Sequence, residues 1–183
     1  MDEPPLAARA RALAAEHGFG RSSIPQVGRL LHVLAAGCGR GRVAEIGTGY
    51  GVASAWIAAA LDPGVPFVTV ELDAERAAAA SNLFRDDPDV RVLAGDWREL
   101  LPAEAPFDLL FLDGGHWKHR PAQDGEAAVA LLGPRGTLVV DDFTPGRPGL
   151  DEARSFLFEH PRLAAVELLA TPESAAIVAV RTR

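Results

Sequence analysis

From Arg42 onward, short apolar runs alternate with helical stretches, and this alternation restricts the fold more than any other feature of the chain. Val43–Ile46, Phe67–Leu72, Val90–Leu93, Phe107–Leu112 and Thr137–Val140 read as buried strands. Between and after them, 52–61, 74–84, 121–132 and 151–159 read as helices. Leu163–Leu169 and Ala175–Arg181, separated by a turn at Thr171 and Pro172, read as a closing hairpin. Strands alternating with helices imply a parallel sheet covered on both faces. The expected fold is therefore α/β: a doubly wound, mostly parallel seven-stranded sheet ending in an antiparallel hairpin.

The chain has 183 residues, enough for one domain with a real core, and residues 1–183 are read as that single domain. Residues 1–40 supply N-terminal helices expected to pack near a ligand site. An alanine-rich helix covers Leu6 to Glu16, and a second, capped by Ser22 or Ser23, runs through Leu30, Leu31, Val33 and Leu34.

The net charge is -7, and Lys118 is the only lysine, so nothing draws the chain generally to nucleic acid or an anionic membrane. The single cysteine, Cys38, allows no intrachain disulfide and no cysteine-based zinc site, and reads as a small buried or linker residue. There is neither a basic leader followed by an apolar run nor a stretch approaching the ~20 apolar residues of a membrane helix. The expected location is cytoplasmic, and the expected partner is a small molecule, with a homodimer as the plausible assembly.

Ligands of doubly wound sheets bind beyond the carboxyl ends of the strands. After the first strand comes Glu45-Ile46-Gly47-Thr48-Gly49-Tyr50-Gly51, whose alternate glycines let a ligand approach the backbone closely. A dinucleotide fingerprint would need glycine where Val52 stands. Glu45 would repel a pyrophosphate but suits a ligand carrying an amine and a sulfonium. After the second strand, Glu71 can accept both hydroxyls of a ribose, while Asp73 is the better helix cap. After the third, Asp96 can accept from an adenine amine and Trp97 can cover an aromatic ring; a plain turn beside a core tryptophan is the alternative.

The densest polar cluster follows the fourth strand: Asp113-Gly114-Gly115-His116-Trp117-Lys118-His119-Arg120. Asp141-Asp142 follows the fifth. With Asp113 they make three carboxylates that repel unless a proton or cation lies between them, and such oxygen donors suit Mg2+ or another divalent cation. The alternative is that one acid caps a turn and the other faces water.

Taken together, these segments resemble the class I S-adenosylmethionine-dependent methyltransferases. Val43–Gly51 resembles that family's first motif, Val70-Glu71-Leu72 its ribose-binding strand end, Gly95-Asp96 its adenine-binding turn, and Phe107–Asp113 its fourth motif. Within the family the nearest resemblance is to O-methyltransferases of the catechol and caffeoyl-CoA type. The resemblance implies a Rossmann-like fold and S-adenosylmethionine held by Glu45, Gly47, Thr48, Gly49, Tyr50, Gly51, Glu71, Asp96, Trp97 and Asp113. It also implies a divalent cation on Asp113, Asp141 and Asp142, and Lys118 or His116 as the base. Gly114 and Gly115 separate Asp113 from His116, a departure from the pattern of the catechol enzymes, whose His-Trp-Lys the run His116-Trp117-Lys118 resembles. The tight turn between Leu169 and Ala175 leaves the acceptor side open, with residues 143–149 as the remaining candidate lid.

The activity so implied is methyl transfer to a small-molecule acceptor, at a hydroxyl oxygen. Two rivals stand beside it: a methyltransferase-like domain that binds the cofactor without catalysis, and a nicotinamide-dependent oxidoreductase, against which Glu45 and Val52 both argue.

Overall fold

A computed structural model describes residues 1–20, 22–37, 41–147, 149 and 151–182, and the side chains among them except those of residues 115 and 116. Cys38 lies outside the described residues. Seven strands form one sheet in the order β3-β2-β1-β4-β5-β7-β6. They are β1 (Val43–Ile46), β2 (Phe67–Glu71), β3 (Val90–Ala94), β4 (Phe107–Leu112), β5 (Leu132–Phe143), β6 (Leu163–Leu169) and β7 (Ala175–Arg181). The first five run parallel, and β7 pairs antiparallel with both β5 and β6. This is the expected architecture, hairpin included.

The helices are α1 (Pro5–Glu16), α2 (Pro25–Ala35), α3 (Val52–Ala58), α4 (Ala74–Leu83), α5 (Trp97–Leu100), α6 (Glu126–Leu131) and α7 (Glu152–Glu159). Alternate strand residues feed opposite faces, as a period of two demands. Ala44, Ile46, Leu110 and Leu112 pack with Ala128 and Val129 of α6 and Leu157 of α7. Val43, Leu109, Phe111 and Val139 pack with Val27 and Leu31 of α2 and Ile57 of α3. Burial of apolar area on both faces explains why β1, β2 and β4 are apolar along nearly their whole length. α1 turns Ala7, Ala10 and Ala14 onto Trp56 and Phe84, where small side chains permit a close approach.

The chain switches direction across the sheet between β1 and β4, so the crevice opens at Gly47 and Asp113. Some local expectations are corrected. Ser22 and Ser23 do not cap α2; Pro25 opens that helix behind Ile24, whose side chain makes no cap bond. The helix expected over 121–132 divides into a π turn (Pro121–Gly125) and α6, with Leu132 already in β5; a 3-10 turn (Gly115–His119) precedes them. Gly125 explains part of this: a Cβ there would lie 2.5 Å from the Phe156 ring of α7, so the backbone itself is the packing surface. α5, capped by Asp96, was not anticipated. Asp73 caps α4 as expected, accepting from the Glu75 and Arg76 amides. No described helix is long and apolar enough to cross a membrane.

Candidate functional site

The loop leaving β1 can only be glycine at its first position. Gly47 has φ 96, and a Cβ there would stand 1.7 Å from the Asp113 carbonyl oxygen at the end of β4. The loop then turns toward β2, and the Gly49 amide donates to Glu71 Oε2 at 2.7 Å. Glu71 Oε1 accepts from the Asp73 amide at 3.0 Å and pairs with Arg76 Nη2 at 3.0 Å. Tyr50 stacks on His17 and meets Phe19 edge-on, so the segment between α1 and α2 closes over the loop.

These groups line one cavity of about 310 Å3. Its walls are Gly47 to Tyr50, Val70 to Leu72, Gly95 to Arg98, Leu112 to Gly114, Trp117, Asp142, and Phe19, Ser22 and Ser23. The expected ligand residues Gly47, Thr48, Gly49, Tyr50, Glu71, Asp96, Trp97 and Asp113 thus converge. Gly51 stands off the wall and caps α3 at φ 83. Glu45 also stands behind the wall, on the sheet face covered by α3. It is fully buried, its Oε2 accepts from Ser54 Oγ and Thr69 Oγ1, and its Oε1 has no partner. Burial pushes its carboxyl up to about 7.

On the β4 side, burial raises Asp113 to about 8, with Asp142, Asp141 and Glu45 adding repulsion and a 3.3 Å hydrogen bond from Ser23 opposing it. Burial likewise raises Asp141 to about 6, opposed by the Asp142 amide. Lys118 Nζ donates to the carbonyls of Asp141 and Asp142, each at 2.7 Å, and lies over the Phe143 ring. Asp142 adopts φ 65, and its carbonyl and the preceding one both reach that nitrogen. Burial lowers the Lys118 pKa, while the four nearby aspartates, Asp142, Asp141, Asp113 and Asp151, pull it back. The His116 side chain lies outside the described residues, as does Pro148 in the expected lid.

The family described as "Methyltransferase domain" matches residues 44–143, more than half of the chain. The chain belongs to the class I, S-adenosylmethionine-dependent methyltransferases. A relative from Mycobacterium bovis whose name places it among O-methyltransferases is 32% identical over 98% of this chain and 77% of its own length. One from Mycobacterium sp. (strain JLS), similarly named, is 30% identical over 94% of this chain and 82% of its own. Among solved structures, the O-methyltransferase TomG from Streptomyces achromogenes, in complex with SAM, shares the fold. Its TM-score is 0.81 at 24% identity, covering 100% of this chain and 92% of that one.

The cavity of this methyltransferase fits the family's cofactor. It joins a glycine cradle that a Cβ would fill, a carboxylate at the end of β2, and two indoles, with Trp117 Nε1 buried and unpartnered. The expected cation site fits less well. Among the described residues, no group of three His, Cys, Asp or Glu side chains is placed to hold a metal ion. Asp141 Oδ1 turns back to accept from the Asp142 amide at 2.7 Å, and the Lys118 nitrogen already sits on the backbone of both. In this arrangement Asp113, Asp141 and Asp142 form a carboxylate cluster beside Lys118. Residues that motif reading missed are Phe19, Ser22, Ser23, Arg76 and Arg98. Of these, only Arg98, adjoining Asp96-Trp97, carried a local signal.

Proposed function

We propose that the chain catalyses methyl transfer from S-adenosylmethionine to a hydroxyl oxygen of a small molecule. The observation that carries this reading is the shared rim: the Gly49 amide and the Glu71 carboxylate are hydrogen-bonded across the carboxyl ends of β1 and β2 and line the same cavity as Asp113 at the end of β4. The names of the relatives favour oxygen as the acceptor atom. When bound, S-adenosylmethionine supplies a methyl group on a sulfonium, which leaves as a neutral thioether when a nucleophile attacks in line.

The residues then divide the work. Glu71 receives the ribose hydroxyls, with Arg76 and the Asp73 amide fixing its orientation. Asp96 and Trp97 receive the adenine. The negative charge of Asp142 on the cavity wall favours the cationic donor over its neutral product, while the protonated Asp113 beside it adds no repulsion for the methionine carboxylate. Lys118 takes the acceptor's proton. Its two carbonyl contacts engage two N–H bonds, so the neutral amine keeps its lone pair for the hydroxyl. Burial lowers its pKa toward the range where that neutral form is populated. A divalent cation, if one takes part, would be held by Asp113, Asp141 and Asp142 and would lower the pKa of the acceptor hydroxyl; undiminished turnover in a strong chelator would remove it from the reaction.

Calorimetry with S-adenosylmethionine and its demethylated product tests the cofactor reading; absence of heat from folded protein would end it. A second reading, a cofactor-binding domain without catalysis, draws on the tight β6–β7 turn. Binding without turnover across phenols, catechols and aliphatic alcohols would favour it.

A further inference from the structure

Arg98 makes more contacts than any role assigned so far requires. Its Nη1 donates to both oxygens of Asp96, at 3.1 and 3.2 Å. Its guanidinium lies 4.9 Å from the centroid of the Trp97 ring. Its Nε and Nη2 reach Asp124 Oδ1 and Oδ2 at 3.0 and 2.6 Å, a bidentate pair of the kind that fixes a guanidinium in orientation as well as place. Asp124 is only 2% exposed and is further held by Arg120 at 3.2 Å. It sits in the π turn that follows the Trp117 and Lys118 turn, a segment without long regular hydrogen bonding of its own.

Resting on the methyl-transfer reading, we propose that Arg98 is a specificity-determining positioning residue for the adenine end of the cofactor. Clasped to buried Asp124, it holds the Asp96 carboxylate and the Trp97 indole in the geometry that recognises a 6-amino purine. The Arg98 amide already holds Asp96 Oδ1 at 2.9 Å as the cap of α5, and the guanidinium adds the bonds that keep both oxygens from turning toward water. Held by Arg98, Asp96 remains an anionic acceptor, which attracts an exocyclic amine and repels a carbonyl at the same position of the ring. The same clasp ties the turn after β3 to the segment bearing Trp117, so both indoles of the cavity depend on it.

The test compares calorimetric binding of S-adenosylhomocysteine and S-inosylhomocysteine, which differ at that ring position. The wild-type chain should prefer the adenosyl compound by about tenfold or more, the ratio a hydrogen bond to a charged group supplies. In Arg98→Met the ratio should fall to about twofold or less, while Arg98→Lys should restore part of it and Asp124→Asn should lie between. No preference in the wild type, or an equal loss for both ligands in Arg98→Met with the ratio intact, overturns the clasp and leaves methyl transfer standing. Failure of the wild type to bind either compound overturns the methyltransferase reading and the clasp with it. If Arg98→Met does not fold, unchanged ratios in both Arg98→Lys and Asp124→Asn overturn the proposal.

Discussion

The Gly49 amide donates to Glu71 Oε2 across 2.7 Å, which joins the glycine loop of β1 to the carboxylate that ends β2. One hydrogen bond thus sets the distance between the glycine loop and the carboxylate that line the same cavity. The other oxygen of Glu71 is fixed by the Asp73 amide and Arg76. Glu71→Ala should therefore weaken S-adenosylmethionine binding by about tenfold or more, the worth of hydrogen bonds to a charged group. Glu71→Gln, which keeps the shape but accepts less strongly, should fall between. Titration calorimetry reads both, and a melting temperature near that of the wild type would separate lost binding from lost folding.

Gly47 tests the cradle from the other side. Alanine at φ 96 costs on the order of 1–2 kcal/mol in backbone strain, and its Cβ would overlap the Asp113 carbonyl oxygen at 1.7 Å. That neighbour is backbone and cannot rotate away. Gly47→Ala should lower the melting temperature and abolish cofactor binding. Gly20→Ala, with open space around its Cβ, no positive φ and no place on the cavity wall, should do neither, and serves as the control in thermal unfolding.

Much of this site was legible because its signals are local. Short apolar runs end at Ile46, Glu71 and Leu112, and the residues just beyond them are by construction at the crevice of a doubly wound sheet. What escaped reading depends on tertiary approach. Phe19 and Ser23 reach the cavity only because α1 and α2 pack on α3, and Ser23 then bonds Asp113 instead of capping a helix. Arg98 finds Asp124 across 26 positions of sequence. Glu45 follows a strand period that turns it under α3, where Ser54 and Thr69 meet it, so its charge points away from the ligand wall. The three aspartates were correctly read as mutually repelling, but their side-chain directions were not legible. Lys118 lies beside them, with its nitrogen on the backbone carbonyls of Asp141 and Asp142.

Lys118 gives a sign to the pH dependence of turnover. A base works in its neutral form, and burial holds the Lys118 pKa below its ordinary 10.5. Turnover should rise with pH and level off below 10.5. Lys118→Met should lower kcat by about 10²–10⁴-fold while leaving the affinity for S-adenosylhomocysteine nearly unchanged. Lys118→Arg should not rescue it, since a guanidinium stays protonated. Steady-state rates across pH for the three proteins read the outcome; an equal kcat in Lys118→Met would remove this lysine from the chemistry.

Glu45 links pH to stability without touching the ligand. Its carboxyl, near 4.5 in an unfolded chain, is raised by burial to about 7 in the fold. A raised acid binds its proton more tightly in the native state, so its contribution is intact below pH 4.5 and is lost as pH climbs through about 7. The accumulated loss is on the order of 3 kcal/mol, large against the margin of a small domain. Glu45→Gln mimics the protonated acid and still offers an oxygen to Ser54 and Thr69. It should melt close to the wild type at pH 4.5 and several degrees above it at pH 8. Asp113 and Asp141 share the same direction of shift, so both proteins should lose stability with rising pH, and the Glu45 part is the gap that opens between them. Thermal unfolding at the two pH values measures that gap, and parallel curves would show that the fold does not raise the Glu45 pKa above its unfolded value.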